Sequence, residues 1–223
     1  MKTKILYHGE NALAEVLLSP NEAVLAESNT LVGMSTSIHI ERRVQSGQIK
    51  PYTHPQSGRE TAFLNVYRAG DRPCEVLLAP RLPGEIYEYP LEGRRLFLAF
   101  PSFLAAHEST ELDFAWRGGA ASHQTAGDQF LRCSGSGAVL LSSFGSLHRI
   151  ELTSESAYSV YAGHLVAFSE QIQLRLRQIG GVQTGRVIEQ DLLFDLSGPG
   201  TVFLQTRSPK NFNDWIRSKT PPD

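Results

Sequence analysis

One order of short apolar runs, turns and strict alternation comes round three times in this chain, and self-similarity of that kind narrows the fold more than any bulk property. The first copy begins at Val24-Leu25-Ala26-Glu27, passes Leu31-Val32-Gly33-Met34 and enters Ser37-Ile38-His39-Ile40-Glu41-Arg42. The second begins at Phe97-Leu98-Ala99, passes Phe103-Leu104-Ala105-Ala106-His107 and enters Glu111-Leu112-Asp113-Phe114-Ala115-Trp116. The third begins at Ser159-Val160-Tyr161, passes Leu165-Val166-Ala167-Phe168 and enters Gln171-Ile172-Gln173-Leu174-Arg175-Leu176. In the closing part Leu112, Phe114 and Trp116 oppose Glu111 and Asp113, and Ile172, Leu174 and Leu176 oppose Gln173, Arg175 and Arg177. Period two is the mark of a strand with one face on a core and the other in water.

A glycine turn follows each copy: Ala69-Gly70-Asp71, Ser134-Gly135-Ser136-Gly137 and Ser197-Gly198-Pro199-Gly200, each between two more apolar runs. Such turns predict a hairpin closing each unit. The expectation is an all-β chain forming one domain over 1–223. It comprises three repeated units, at about 1–80, 81–152 and 153–207, in pseudo-threefold packing. A C-terminal helix is predicted over 208–218. Ser208 is a natural N-cap and Pro209 suits the first helical position. Phe212, Trp215 and Ile216 fall on one helical face and predict a clamp docked on the sheet, with 220–223 a frayed tail.

Bulk properties exclude several classes. A formal net charge of -2 lacks the basic excess of nucleic-acid binders. Two cysteines, Cys74 and Cys133, stand far apart with no CxxC, against a zinc ribbon or disulfide framework and in keeping with a reducing compartment. No apolar stretch approaches a transmembrane length, and the basic start lacks the apolar region of a secretory signal. The expected location is cytoplasmic.

The stretch Val76-Leu77-Leu78-Ala79-Pro80-Arg81-Leu82-Pro83-Gly84 resembles a known family, as do Phe144-Gly145-Ser146-Leu147-His148-Arg149-Ile150 and Gly163-His164-Leu165-Val166-Ala167-Phe168. The resemblance ends at Ser197-Gly198-Pro199-Gly200-Thr201-Val202-Phe203-Leu204 and covers nearly the whole chain. It is to bacterial members of the mitochondrial-biogenesis family named for altered inheritance of mitochondria. The resemblance implies a unit that is a short double-stranded β-helix or sandwich, similar to the tryptophan RNA-binding attenuation protein, duplicated threefold. It brings no catalytic residues. Where family members carry Gly-rich apolar insertions, this chain has polar segments at 48–55, 118–124 and 182–186, which puts a role of those insertions in membrane contact or assembly in doubt here.

Candidate chemistry is sparse. A cupin-like metal site is the reading a β-helical unit invites, and His148 and His164 are the candidates. That site wants two histidines one residue apart on a strand, and the chain has no HxH. Hydrogen bonds from both to backbone at turns are the favoured reading, so no metal or cofactor is expected. His39, between Ile38 and Ile40, is expected on the wet face of its strand. Ser136 lacks the GxSxG setting of a nucleophile, and the paired glycines lack the lysine of a phosphate loop. A basic stripe of Arg175 and Arg177 with Arg42 and Arg43 is broken by Glu111 and Asp113 at the matching place of the second copy, a poor track for RNA. The expected function is therefore a non-enzymatic β-scaffold that self-associates as a homo-oligomer and has protein partners. A small-ligand-binding module is the alternative. A cupin-like metal-dependent enzyme and an RNA binder rank below it.

Overall fold

A computed structural model describes residues 1–43, 64–113, 130–179 and 192–219. The polar segments at 48–55, 118–124 and 182–186, the alternation through Phe114 and Trp116, and the tail at 220–223 lie outside the described residues. The first part of the chain forms β1 (Lys2–Leu6), β2 (Leu13–Leu18), β3 (Ala23–Glu27), β4 (Leu31–Met34), β5 (His39–Arg43), β6 (Leu64–Arg68) and β7 (Cys74–Leu78). The middle forms β8 (Ile86–Pro90), β9 (Leu96–Ala99), β10 (Phe103–His107), β11 (Thr110–Asp113), β12 (Phe130–Gly135) and β13 (Ala138–Ser142). The last part forms β14 (Leu147–Leu152), β15 (Ala157–Tyr161), β16 (Leu165–Ser169), β17 (Gln173–Gln178), β18 (Leu192–Ser197) and β19 (Gly200–Gln205), then helix α1 (Pro209–Lys219). The protein is mostly β with one helix at its end, as expected, and no helix among the described residues is long and apolar enough to cross a membrane.

The strands form four sheets, ordered β1-β2-β7-β4, β5-β6-β3-β10-β13-β8, β11-β12-β9-β16-β19-β14 and β15-β18-β17. The expected hairpins do not form. Only Ser136 and Gly137 separate β12 from β13, yet β12 pairs with β9 and β11 while β13 pairs with β8 and β10. β18 and β19 part in the same way, and so do β6 and β7. The glycines explain why. Gly135 has φ of +107°, and a Cβ there would stand 2.6 Å from the carbonyl oxygen of Ser109. Gly198, at φ +99°, is pressed against the Gln171 carbonyl in the same manner. Each turn is seated on another turn and carries the chain across to the opposite sheet. Each flanking strand has a neighbour on both sides.

β14 takes its partner from far along the chain. β14 lies ahead of the 152/153 division, yet all six of its residues register with β19, from Leu147↔Gln205 to Leu152↔Gly200. By its partners it goes with the last part of the chain.

Buried side chains fall into three main clusters. One gathers Ala14, Val16, Leu18, Ala26, Tyr67 and Val76. A second gathers Leu96, Leu98, Phe103, Leu131, Cys133 and Leu141. The third gathers Phe97, Phe130, Phe168, Phe194, Leu196 and Val202.

α1 starts as the sequence predicts, with the Ser208 hydroxyl accepting from the Asn211 amide at 3.4 Å. The clamp is narrower than predicted. Phe212 meets Phe144 edge-on at 5.2 Å, but Trp215 stays 59% exposed and Ile216 40%. Among the described residues Phe212 is the helix's aromatic anchor, on Phe144 in the connection between β13 and β14, and Trp215 stacks on Phe212 at 6.2 Å.

Candidate functional site

Two seams, one inside each six-stranded sheet, join successive parts of the chain, and they share one construction. At the first, β3 lies antiparallel to β10 with Ala26↔Ala105 and Leu25↔Ala106 opposed. At the second, β9 lies antiparallel to β16 with Leu98↔Ala167 and Phe97↔Phe168 opposed, and the two phenylalanine rings stack at 5.2 Å. Each incoming strand carries a register shift on its other side, between Phe103 and Ala105 in β10 and between Leu165 and Ala167 in β16. The residue inside that shift crosses the seam. Leu104 is fully buried in the first cluster, among side chains of β2, β3 and β7, and Val166 is fully buried in the second.

The same shift occurs in β4, between Leu31 and Gly33. Val32 sits inside it and stands 60% exposed. Among the described residues β4 has β7 on one side and no strand on the other. β15 is likewise an edge, paired with β18 alone. It buries Val160 in the third cluster but leaves Tyr158 45% and Tyr161 51% exposed. Of the edge strands of the four sheets, β4 and β15 thus combine an open side among the described residues with exposed apolar side chains. Unpaired N–H and C=O groups beside apolar side chains template the addition of another strand.

Polar contacts tie together the segments that lead into β2, β8 and β14. Gly84 bridges to Asn11 on one side and to Gly145 on the other, both in parallel fashion. A Cβ on Gly84 would fall 1.7 Å from the Ser143 carbonyl oxygen, so no side chain fits there. The Gln205 side chain accepts from the Phe144 amide and donates to the Gly163 carbonyl, each at 2.9 Å. Glu85 accepts from the Leu147 amide at 2.6 Å. Beside this junction lies a cleft of about 330 Å³ lined by Ile5, His8, Tyr87, Leu147, Arg149 and Phe203, among others. Arg149 is committed to Glu151 at 2.6 Å, and that bond pushes its guanidinium pKa up.

The histidine candidates do not converge. Nδ1 of His164 donates to the Gln205 carbonyl at 2.8 Å, next to a one-turn helix. His148 is an exposed mid-strand residue of β14, not a turn residue. β19 runs between β14, which carries His148, and β16, which begins just after His164, and two strand spacings of about 4.7–4.9 Å each separate those strands. No group of three or more His, Cys, Asp or Glu side chains among the described residues is placed to hold a metal ion. Ser136 is exposed at its turn. Burial pushes the Cys133 thiol pKa far up, the opposite of an activated cysteine. His39 is exposed, but so is Ile40 at 49%, on a strand with β6 on one side and no described strand on the other.

Within the basic stripe Arg177 is answered by a neighbouring carboxylate. Arg177 holds Asp195 at 2.7 Å, and with the Ser159 hydroxyl it pulls that carboxyl down to about 2. Asp113 pairs with Arg132 across β11 and β12 at 2.6 Å. The side chains of Arg42 and Arg43 lie outside the described residues.

The profile of the family described as Mitochondrial biogenesis AIM24 matches residues 3–207. The chain belongs to that family. The match runs from the second residue of β1 to just short of α1. An X-ray crystal structure, of protein SPYM3_0169 from Streptococcus pyogenes, superposes with a TM-score of 0.78 at 18% identity, covering 98% of this chain and 99% of that one. That likeness establishes a shared fold. A search of the curated proteins gave no match. In this AIM24 chain the residues that sequence reasoning passed over are Val32, Tyr158 and Tyr161. The signal was present: Val32 aligns with Leu104 and Val166, so one member of a buried set lacked a neighbour to bury it.

Proposed function

We propose that this AIM24-family protein is a non-enzymatic β-scaffold that associates with further copies of itself. In this reading it consists of three units of one short double-stranded β-helical plan, similar to the unit of the tryptophan RNA-binding attenuation protein. The units would be β2–β7, β8–β13 and β14–β19. The recurring pairings of β7, β13 and β19 with the strands five and three places earlier support that division. Two buried free cysteines support a reducing, cytoplasmic setting.

The observation that carries the reading is the pair of apolar strand edges, β4 and β15, left open among the described residues. An edge of this kind is a liability unless covered, and a like strand covers it best. Native mass spectrometry tests the proposal. Masses at multiples of 24.6 kDa with nothing added are expected, and a single-chain mass at every concentration would refute it. A second reading, small-ligand binding, is favoured by the apolar cleft beside Tyr87 and Phe203. A single-chain mass carrying a retained small molecule would move the assignment there.

A further inference from the structure

We infer that two copies join head to tail, β15 of one laid antiparallel on β4 of the next, in the register of the two seams already present within the chain. The inference rests on the scaffold reading and specifies its interface. The chain carries its own template twice. β3 receives β10 and β9 receives β16, and in both cases the receiving strand is followed by a short turn that leads into a strand with a register shift. β15 is the third strand of the receiving kind. The one-turn helices that begin at Phe100 and Ala162 align Leu98 of β9 with Val160 of β15. The register shifts align Ala105 and Ala167 with Gly33. Carrying the pairing over puts Val160 opposite Gly33 and Ser159 opposite Met34 of the second copy.

Side-chain placement agrees with that register. At the second seam Phe97 and Phe168 point into one shared cluster while Leu98 and Ala167 point into the other. At the open ends Val160 already faces the third cluster, and Met34 already packs on the first. Val32 is then the knob without a hole: Leu104 and Val166 each enter the cluster of the preceding segment, and Val32 enters no cluster among the described residues. The third cluster, at the other end of a second copy, offers the counterpart. Because donor and acceptor edges differ, the contact is heterologous, and repetition closes a ring or extends a filament.

Two separate variants test the register, Ser159→Cys and Met34→Cys, mixed and mildly oxidised. Directly opposed strand residues lie within disulfide reach, whereas a two-residue offset does not. A disulfide-linked pair containing one of each variant is expected, and Tyr161→Cys mixed with Met34→Cys is expected to give none. Cys74 and Cys133 are buried and stay out of the reaction. Val32→Asp provides a check that does not depend on cysteine chemistry. The site is exposed in the single chain, so melting of the isolated protein should be unchanged while self-association weakens at least about tenfold. Association that persists with Val32→Asp, or cross-linking without regard to register, overturns the head-to-tail contact and leaves a scaffold of some other interface. A wild-type protein that never associates removes both readings.

Discussion

Replacing Phe168 by alanine tests whether the β9–β16 seam is part of a continuous core. The ring is 1% exposed, stacks on Phe97 at 5.2 Å across the seam and meets Phe130 edge-on at 5.2 Å. Truncating a buried phenylalanine costs about 3–5 kcal/mol, the transfer loss plus the cavity it leaves. For a chain of this size about 2–4 °C of melting temperature follows each kcal/mol, so the expected fall is about 6–20 °C. Phe97→Ala should cost a similar amount, since its partner ring loses the same face. The double variant should cost less than the two together by about 0.5–3 kcal/mol, because each single change already removes the shared contact. Urea titrations of the four proteins, read by near-ultraviolet circular dichroism, give all the terms. A single loss under about 1.5 kcal/mol, the range of well-tolerated core swaps, would refute the seam as a packed core. Strict additivity would refute the coupling.

Other consequences follow from particular contacts. Gly84→Ala places a methyl group against the Ser143 carbonyl, and a loss of about 4 kcal/mol or failure to fold is expected, measured by soluble yield and thermal melting. Burial pushes the Glu27 carboxyl up while Arg81, at 2.8 Å, pulls it back. The folded chain thus holds that proton more readily than the unfolded chain, and the cost appears as pH rises out of the ordinary carboxylate range through the raised value. Arg81→Ala should lose about 1–3 kcal/mol at neutral pH and clearly less near about pH 4, as urea midpoints at the two pH values would report. For Asp195 the sign is opposite. Its support is present above the ordinary aspartate range and is lost as pH falls towards about 2, so Asp195→Asn should flatten the acid limb of the stability profile. The thiols of Cys74 and Cys133 should ignore a thiol reagent until denaturant is added and then react together.

Local structure was legible in the sequence because it rests on local rules. Alternation marked Ile172, Leu174 and Leu176 as inward, and all three pack in or against the third cluster. Ser208 and Pro209 marked the start of α1 to the residue. Strand partners were not legible. β12 and β13 read as a hairpin since nothing in Phe130–Gly135 or Ala138–Ser142 states which sheet each will enter. That choice is made by contacts such as Gly135 on Ser109, distant in sequence until the chain has folded. The clamp was overread for a related reason: helical period fixes which face is apolar, and only tertiary contact decides how much of it is covered, here Phe212 without Trp215. The candidate edges were half legible. The matching of Val32 with Leu104 and Val166 could be read, but its exposure follows only from knowing that β4 ends a sheet.

Hydrogen exchange followed by mass spectrometry over a range of protein concentration tests the central claim most directly. The account predicts that amides of Leu31–Met34 and Ala157–Tyr161 gain protection together as concentration rises, while β12, already between two strands, stays unchanged. Exchange at both edges that does not vary with concentration would contradict it.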